Sequence, residues 1–377
     1  MRAPRARDEV TAMRIALATP CAICACVRMQ SAPMKLRNFR WIDLGAVAVL
    51  MLATALIVAK NVEPSARLTL LNASYDPTRE LYRDLNADFA ARYLQSSGQH
   101  VNILQSHGGS SRQARLAISG ELQPDVVTLG LPSDVEALRK RGLIADGWAA
   151  RLPNQSRPYY STIVFVVRRG NPRAIHDWPD LLTSGVEVIT PDPRTSGNGK
   201  LSALAAWGSV VTRGGSDADA TRYLRALYEH APFLVVAARD ATTAFAVERI
   251  GDVHLAWENE ALKEVAESHG DLALIYPPVS ILAEPAVAWV DTNIAKHGSA
   301  ALARAYLEYL FTDDAQEIIA RNGYRPFNPQ ILTRHARELP ALQLFTVTSI
   351  ARDWQAAQTR FFADNGVIDS VYQPKPR

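Results

Sequence analysis

Cysteine is nearly absent from this chain of 377 residues: Cys21, Cys24 and Cys26 are the only three, and all precede Met34. The body that follows has no disulfide to hold it and no thiol for chemistry. The run CAICAC looks like a metal or redox motif only superficially, because a zinc site needs four ligands and no histidine lies nearby. Pro20 stands where a lipoprotein box needs a small residue before the cysteine. Other chemical signatures are missing too. The eight histidines show no HxxxH or HxH spacing, and neither a calcium-loop pattern nor a Walker A lysine-serine signature occurs. The nucleophile elbow G-x-S-x-G is absent around Ser196-Gly197, and no Ser/His/Asp grouping is readable. The chain also lacks a basic body. Its formal charge is +3, but residues 1–60 hold nine basic and three acidic residues, leaving 32 basic against 35 acidic beyond them. A nucleic-acid binder carries its basic excess on the folded domain, and this chain does not. With 48% hydrophobic and 21% charged residues, no internal repeat and no low-complexity tract, disorder and fibrous folds are excluded.

What is present starts with an address. Leu44 to Ala59 is an uncharged run of 16 residues, preceded by Lys35, Arg37 and Arg40 and followed by Lys60. That is the layout of an export signal, short of the roughly 20 residues of a full span, and it is either cleaved or kept as an anchor. The positive flank places residues beyond 60 outside the inner membrane. Met34 opens a natural-looking unit, MKLRNFRWID, and the role of residues 1–33 stays open.

The length suggests two domains, each able to bury a core. From residue 67, LTLLNAS, PTRELYRDLNADFAARYLQ, HVNILQS, SSRQARLAISG and DVVTLG alternate as βαβαβ. A second α/β series follows RLPNQSRPYY: STIVFVVRR, VEVIT, helices over Lys200–Thr212 and Asp217–Glu229, then FLVVAA and VHLAWE as strands. The apolar runs at 162–167 and 286–290 are candidates for strands joining the two units. Two lobes on such hinges imply a cleft that closes. The tail reads as helical, with Thr312 capping TDDAQEII and Gly214-Gly215 turning between helices.

Three strand-to-helix junctions place small or polar residues where unpaired N–H groups collect: Tyr75-Asp76-Pro77-Thr78, His107-Gly108-Gly109-Ser110-Ser111, and Asp192 to Gly199. Glycines let backbone N–H groups approach a ligand, and helix dipoles add partial positive charge, which suits an oxyanion. Singly, each junction has an ordinary explanation. Asp76-Pro77 reads as a cap with proline in the first turn, the Gly-Gly-Ser as a plain turn, and His107 as a capping or packing residue. Trp257, at the end of VHLAW, reads as a core residue whose indole N–H is also a neutral donor.

Taken in order, LLNASYDPTRELY, QSHGGSSRQA, DVVTLG, RLPNQSRPYYSTIVFVVRRGNP, VITPDPRTSGNGK, GDVHLAWENEAL, SILAEPAV and YRPFNP resemble the periplasmic sulfate-binding proteins of ABC importers over about residues 67–377. The resemblance implies an α/β, type II-like periplasmic binding protein with two lobes. Each lobe is then a mostly parallel sheet flanked by helices, with the ligand cleft between them. It divides the chain into an extension and signal segment (1–66), the first part of lobe 1 (67–160), lobe 2 (161–284), a return to lobe 1 (285–330), and a C-terminal helical segment (331–377) assigned to neither lobe. It implies sulfate, or thiosulfate, as ligand, membrane permease subunits as partners, a monomer, and no enzyme activity or cofactor. Carried over position by position, the ligand would meet the backbone N–H groups of Asp76, Ser110, Gly197, Asn198 and Ala238, the Ser196 hydroxyl and the Trp257 indole N–H. Two positions depart from the family pattern. Asn198 stands where a second glycine is usual; Asn tolerates a left-handed backbone better than most residues, so its N–H is still expected to point inward, with its side chain tightening or narrowing the site. Asp240 stands where a small residue is common and adds a negative charge nearby. A rival reading, an oxyanion-ester hydrolase, would need a nucleophile, base or metal that the sequence does not offer.

Overall fold

The computed structural model describes residues 49–54 and 68–372. The chain divides into two units, Met1–Glu63 and Pro64–Arg377. In the first, Val49 to Thr54 form exposed helix. The three cysteines, the basic flank and most of the apolar run at 44–59 lie outside the described residues. Among the described residues no helix is long and apolar enough to cross a membrane.

The second unit holds two four-stranded sheets. In the first, β1 (Leu68–Tyr75) lies between β2 (Val101–Gly108) and β3 (Val126–Leu129), parallel to both, and β10 (Ala286–Trp289) closes the edge beside β3 in antiparallel register. Strand β1 is central, and Leu70 and Ala73 are fully buried together with the polar Asn72 and Ser74, whose side chains find hydrogen-bond partners. Its crossover partners are the helices α1 (Arg79–Ser97), α2 (Ser110–Ser119) and α3 (Pro132–Lys140).

The second sheet has the order β6 (Val188–Ile189), β7 (Val253–Trp257), β5 (Ile163–Arg168), β8 (Leu272–Ile275). Only the β6–β7 pair is parallel here; β5 runs antiparallel to β7 and β8, unlike the mostly parallel arrangement expected for each lobe. The cause is where the chain arrives. Ile163, the start of β5, sits opposite Trp257, the end of β7, so the incoming strand runs away from the point at which β7 terminates. The segment FLVVAA, expected as a strand, makes just an isolated bridge between Val235 and Pro191 before the short helix α6 (Ala238–Thr242) begins. A short apolar run without a ladder partner does not make a strand. The helix expected over 200–212 is α4 (Gly197–Val211), beginning three residues earlier because Ser196 occupies the N-cap. Helix α5 (Asp217–Glu229) starts at a Ser216/Asp219 capping box. In the tail, Thr312 caps the helix Asp313–Arg321 by accepting from the Ala315 N–H.

The runs at 162–167 and 286–290 lie largely within the two sheets rather than between them. The chain crosses just before each. Ser161 and Ala283 exchange both backbone hydrogen bonds, at 3.0 and 2.9 Å, so the outgoing and returning segments are tied side by side. Thr162 Oγ1 donates to the Ile281 carbonyl and Ser280 Oγ to that of Ile163, each at 2.7 Å. Beside this tie, β4 (Tyr159–Tyr160) pairs with β11 (Arg325–Pro326), and β9 (Ser280–Ile281) with β12 (Leu344–Phe345). The C-terminal segment packs on the helices of the second sheet: Phe361 meets Trp207 edge-on at 5.1 Å, and Phe345 lies where any Cβ on Gly208 would stand.

Two charged groupings link the sheets. Arg325 donates twice, at 2.6 Å, to the carboxylate of Glu258, and both side chains are buried. Glu258 is the first residue of α7 (Glu258–Glu267), directly after Trp257. Glu80 of α1 receives Arg239 of α6 and Lys263 of α7. Burial would raise its pKa, but the hydrogen bonds from these two cations prevail and hold it down at about 2. Glu260 lies 3.5 Å from Arg239 and is pushed up to about 7, burial outweighing the arginine.

Two outcomes follow. Arg325→Met leaves Glu258 buried and unpaired, and should lower stability by about 3–5 kcal/mol in urea unfolding; an unchanged midpoint would show that the pair contributes nothing. Glu260 binds a proton more tightly in the fold than in the unfolded chain, with a folded pKa of about 7 against an ordinary 4.5. Its contribution is therefore complete below the unfolded value and is lost as pH rises through the folded one. Stability measured across that window should fall with pH less steeply in Glu260→Gln; identical slopes would remove Glu260 as the cause.

Candidate functional site

The parallel βα units place helix N-termini at strand ends, where the first N–H groups have no acceptor within their own helix. The chain leaves β1 through a tight turn at Asp76–Thr78 before α1. Tyr75, not Asp76, holds the N-cap position, and Pro77 lies in the first turn. The Asp76 carboxylate accepts from Arg79 Nη2 at 2.8 Å instead of capping the helix. After β2, α2 begins at Ser110 with Gly109 as its cap residue. Ser110 Oγ donates to Asp134 Oδ2 at 2.6 Å and accepts from the Gly130 N–H at 3.0 Å. Its hydroxyl is thus fully engaged, which leaves the backbone N–H as the group it can offer a ligand.

The third junction opens α4. Ser196 Oγ accepts from the Gly199 N–H at a long 3.5 Å, leaving its own proton free to donate elsewhere. Gly199 is required by proximity, since a Cβ there would lie 2.5 Å from the Pro191 carbonyl oxygen. Asn198 is not left-handed: it lies within the first turn of α4 and is not among the residues with positive φ. Its side chain does not narrow the site either. Nδ2 donates to the Leu255 carbonyl at 3.3 Å and Oδ1 accepts from Ser202 Oγ at 3.1 Å, so the amide is turned into the packing between α4 and β7. Asp240 is exposed and accepts from the Ala237 N–H at 3.0 Å, bracing the start of α6. Trp257 is buried against Tyr75, ring centroids 5.4 Å apart, and no protein acceptor meets its indole N–H among the described residues.

Asp76, Ser110, Ser196, Gly197, Asn198, Ala238 and Trp257 all line one small cavity, together with Tyr75, Pro77 and Gly109. Hollows of about 660 and 760 Å³ lie elsewhere and share only Pro77 with it. Volume does not identify this site; converging donors do. The lining holds no Lys, Arg or His, and Asp76, its one carboxylate, is paired with Arg79. Gly109 and Thr195 bring the two lobes into contact, a Cβ on Gly109 standing 2.7 Å from the Thr195 carbonyl oxygen. His107 projects from β2 with Nδ1 buried and unpartnered. Burial first, and then Arg79, pushes it down to about 4, so it is neutral at physiological pH, in keeping with a packing role.

Behind the cavity lies a buried network that sequence reading missed. Lys200, on the first turn of α4, donates from Nζ to Ser111 Oγ at 2.8 Å and to Gln358 Oε1 at 2.9 Å, and stands 3.9 Å from Asp134 Oδ1. Burial lowers its pKa, partly opposed by Asp134. Asp134 in turn accepts from the hydroxyls of Ser110 and Ser111. One carboxylate therefore orients the start of α2 while the amine from α4 reaches across to it. The available signal was a lone cation at the head of an otherwise apolar helix, LSALAAWGSVV.

Residues 70–325 match the family described as bacterial extracellular solute-binding protein. The chain is 44% identical over 329 residues to the sulfate-binding protein of Escherichia coli K12, covering 87% of this chain and 98% of that one. It is 45% identical over 307 residues to the thiosulfate-binding protein of Pseudomonas aeruginosa, covering 81% and 92%. The solved sulfate-binding protein of Mycobacterium tuberculosis superposes with a TM-score of 0.70 at 28% identity, over 78% of this chain and all of the other. The ferric binding protein of Campylobacter jejuni, at 15% identity and a TM-score of 0.56, shares the fold. With helix starts from both sheets facing one cavity, and with relatives matched along nearly their whole length, the chain belongs to the bacterial extracellular solute-binding proteins.

Proposed function

We propose that the protein captures sulfate outside the inner membrane and presents it to the permease of an ABC importer. The observation that carries this reading is the cavity itself: seven residues able to offer neutral donors line it, and no cationic side chain does. In this reading the backbone N–H groups of Asp76, Ser110, Gly197, Asn198 and Ala238, the Ser196 hydroxyl and the Trp257 indole N–H bind the ion. Helix dipoles and polarised N–H groups stabilise its charge without a counter-ion in contact.

Such a site selects by protonation. Sulfate at neutral pH has no proton and accepts from every donor. Phosphate carries a proton that would face another donor, and a buried group left unpaired costs about 1–3 kcal/mol. Thiosulfate is the second reading, favoured by the relative of that name at 45% identity. The protein works as a binder and not as an enzyme. The hydroxyl of Ser196 has the Gly199 N–H as its partner rather than a base. The lobes around residues 67–160 with 285–330, and around 161–284, close on the ion about the Ser161–Ala283 tie, and the body remains monomeric. Residues 44–59 either are removed on export or hold it to the membrane.

Titration calorimetry at neutral pH with sulfate, thiosulfate and phosphate tests this reading. Sulfate should bind at least about 100-fold more tightly than phosphate, which corresponds to two unpaired-group penalties; equal binding of both would refute a site made of donors alone. Replacing Trp257 by Phe keeps the ring against Tyr75 and removes the donor. Sulfate affinity should fall by about 1–3 kcal/mol, and an unchanged affinity would take Trp257 out of the site.

A further inference from the structure

Gly109 lies where the two lobes touch. It joins β2 to α2 one position before Ser110, and a Cβ placed on it would stand 2.7 Å from the carbonyl oxygen of Thr195, one position before Ser196. Side-chain Cβ atoms essentially never come within 3.0 Å of such a neighbour. The glycine answers no need of its own lobe. Its backbone angles, φ −56° and ψ 133°, are open to every residue, and apart from Thr195 the nearest atom to that Cβ is 4.0 Å away, on Arg112. It is the approach of the opposite lobe that requires a bare Cα here.

Both faces of this contact are stiff. The Thr195 N–H donates to the Asp192 carbonyl at 3.1 Å and its hydroxyl to the Val236 carbonyl at 2.7 Å, which pins the loop. Opposite, the Gly109 carbonyl accepts the first hydrogen bond of α2, from the Gln113 N–H at 2.9 Å, and the next residue, Ser110, is held through its hydroxyl by Asp134 and Gly130. Backbone meets backbone, with no flexible side chain between them to yield. The contact also lies beside the donors. A Cβ on Gly197 would stand 3.4 Å from the Ser110 Cβ, so the first residues of α2 and α4 face each other next to it.

We propose that Gly109 and the Thr195 carbonyl form the stop that ends lobe closure, and that Gly109 is thereby a specificity-determining residue, setting the span between the Ser110 and Gly197 donors to an ion of sulfate's size. Hydrogen bonds weaken when stretched by a few tenths of an ångström, so a stop of this kind converts cleft width into selectivity. The gauge rests on the proposed capture of an ion in this cavity.

Calorimetry of the wild-type protein and of Gly109→Ala with sulfate, selenate and molybdate tests it. All three are tetrahedral dianions without a proton at neutral pH and differ in size, so protonation does not separate them. In Gly109→Ala the contact has to open from 2.7 to at least 3.0 Å, which stretches the bonds to sulfate and suits a larger ion. Sulfate affinity should fall at least about tenfold, as for one weakened hydrogen bond to a charged group; selenate should lose less, and molybdate least. The urea midpoint without sulfate should stay nearly the same, because a poorer helix cap and a less flexible unfolded chain act in opposite directions. Equal loss for all three ions would overturn the gauge, and so would the greatest loss for molybdate, the result of a methyl group that merely fills the cavity. The two readings fail differently: wild-type protein that binds none of the three refutes the cavity and the gauge together, whereas wild-type binding with an unchanged order of preference in Gly109→Ala refutes the gauge alone.

Discussion

The first N–H groups of a helix have no acceptor in their own helix, and the architecture of this protein aims several such groups at one point. A parallel βα unit delivers this directly: strands β1 and β2 end side by side, at Tyr75 and Gly108, and the chain turns from each into a helix at the same edge. Burying an anion among such groups avoids the desolvation cost of a contacting cation. The cations near the cavity are therefore committed elsewhere. Arg79 is tied to Asp76, Arg239 to Glu80, and Lys200 to Ser111 and Gln358.

Those commitments also join the lobes. Glu80 accepts across the cleft from Arg239 and Lys263, and the Lys200 amine reaches from α4 to Ser111 at the head of α2. In the proposed opening, the half-buried Glu80 would lose both of its cations, while the buried Lys200 would lose Ser111 and keep Gln358. In the proposed function, the crossing point at Ser161 and Ala283 would make opening a rotation about two adjacent segments rather than a general loosening. Arg325 and Glu258 brace the start of α7 against β11 beside this crossing, and Trp257 precedes Glu258 directly. The indole is held from both sides, by Tyr75 and by the helix that follows it.

Much of this was legible in the chain. The junctions at Asp76, Ser110 and Ser196–Asn198 announced themselves because small and polar residues stood between an apolar run and a helical period, and their order carried the family resemblance. What was not legible depends on contacts distant in sequence. The direction of β5 follows from which lobe the chain comes from, and periodicity is blind to that. FLVVAA has the composition of a strand but finds a single bridge, at Val235. The side chain of Asn198 was expected to narrow the site; its amide instead hydrogen-bonds Leu255 and Ser202, partners no local pattern shows. The Lys200–Asp134 pairing spans the two lobes and was invisible for the same reason.

The central claim is that neutral donors alone hold a buried dianion here, and a crystal structure of the protein with sulfate tests it most directly. The account predicts the ion in the cavity beside Trp257, its oxygens about 2.7–3.1 Å from the indole nitrogen, the Ser196 hydroxyl and the five backbone nitrogens. It also predicts Lys200, Arg239 and Arg79 still bound to their present partners. A sulfate in direct contact with any of those three cations, or one seated outside this cavity, would contradict it.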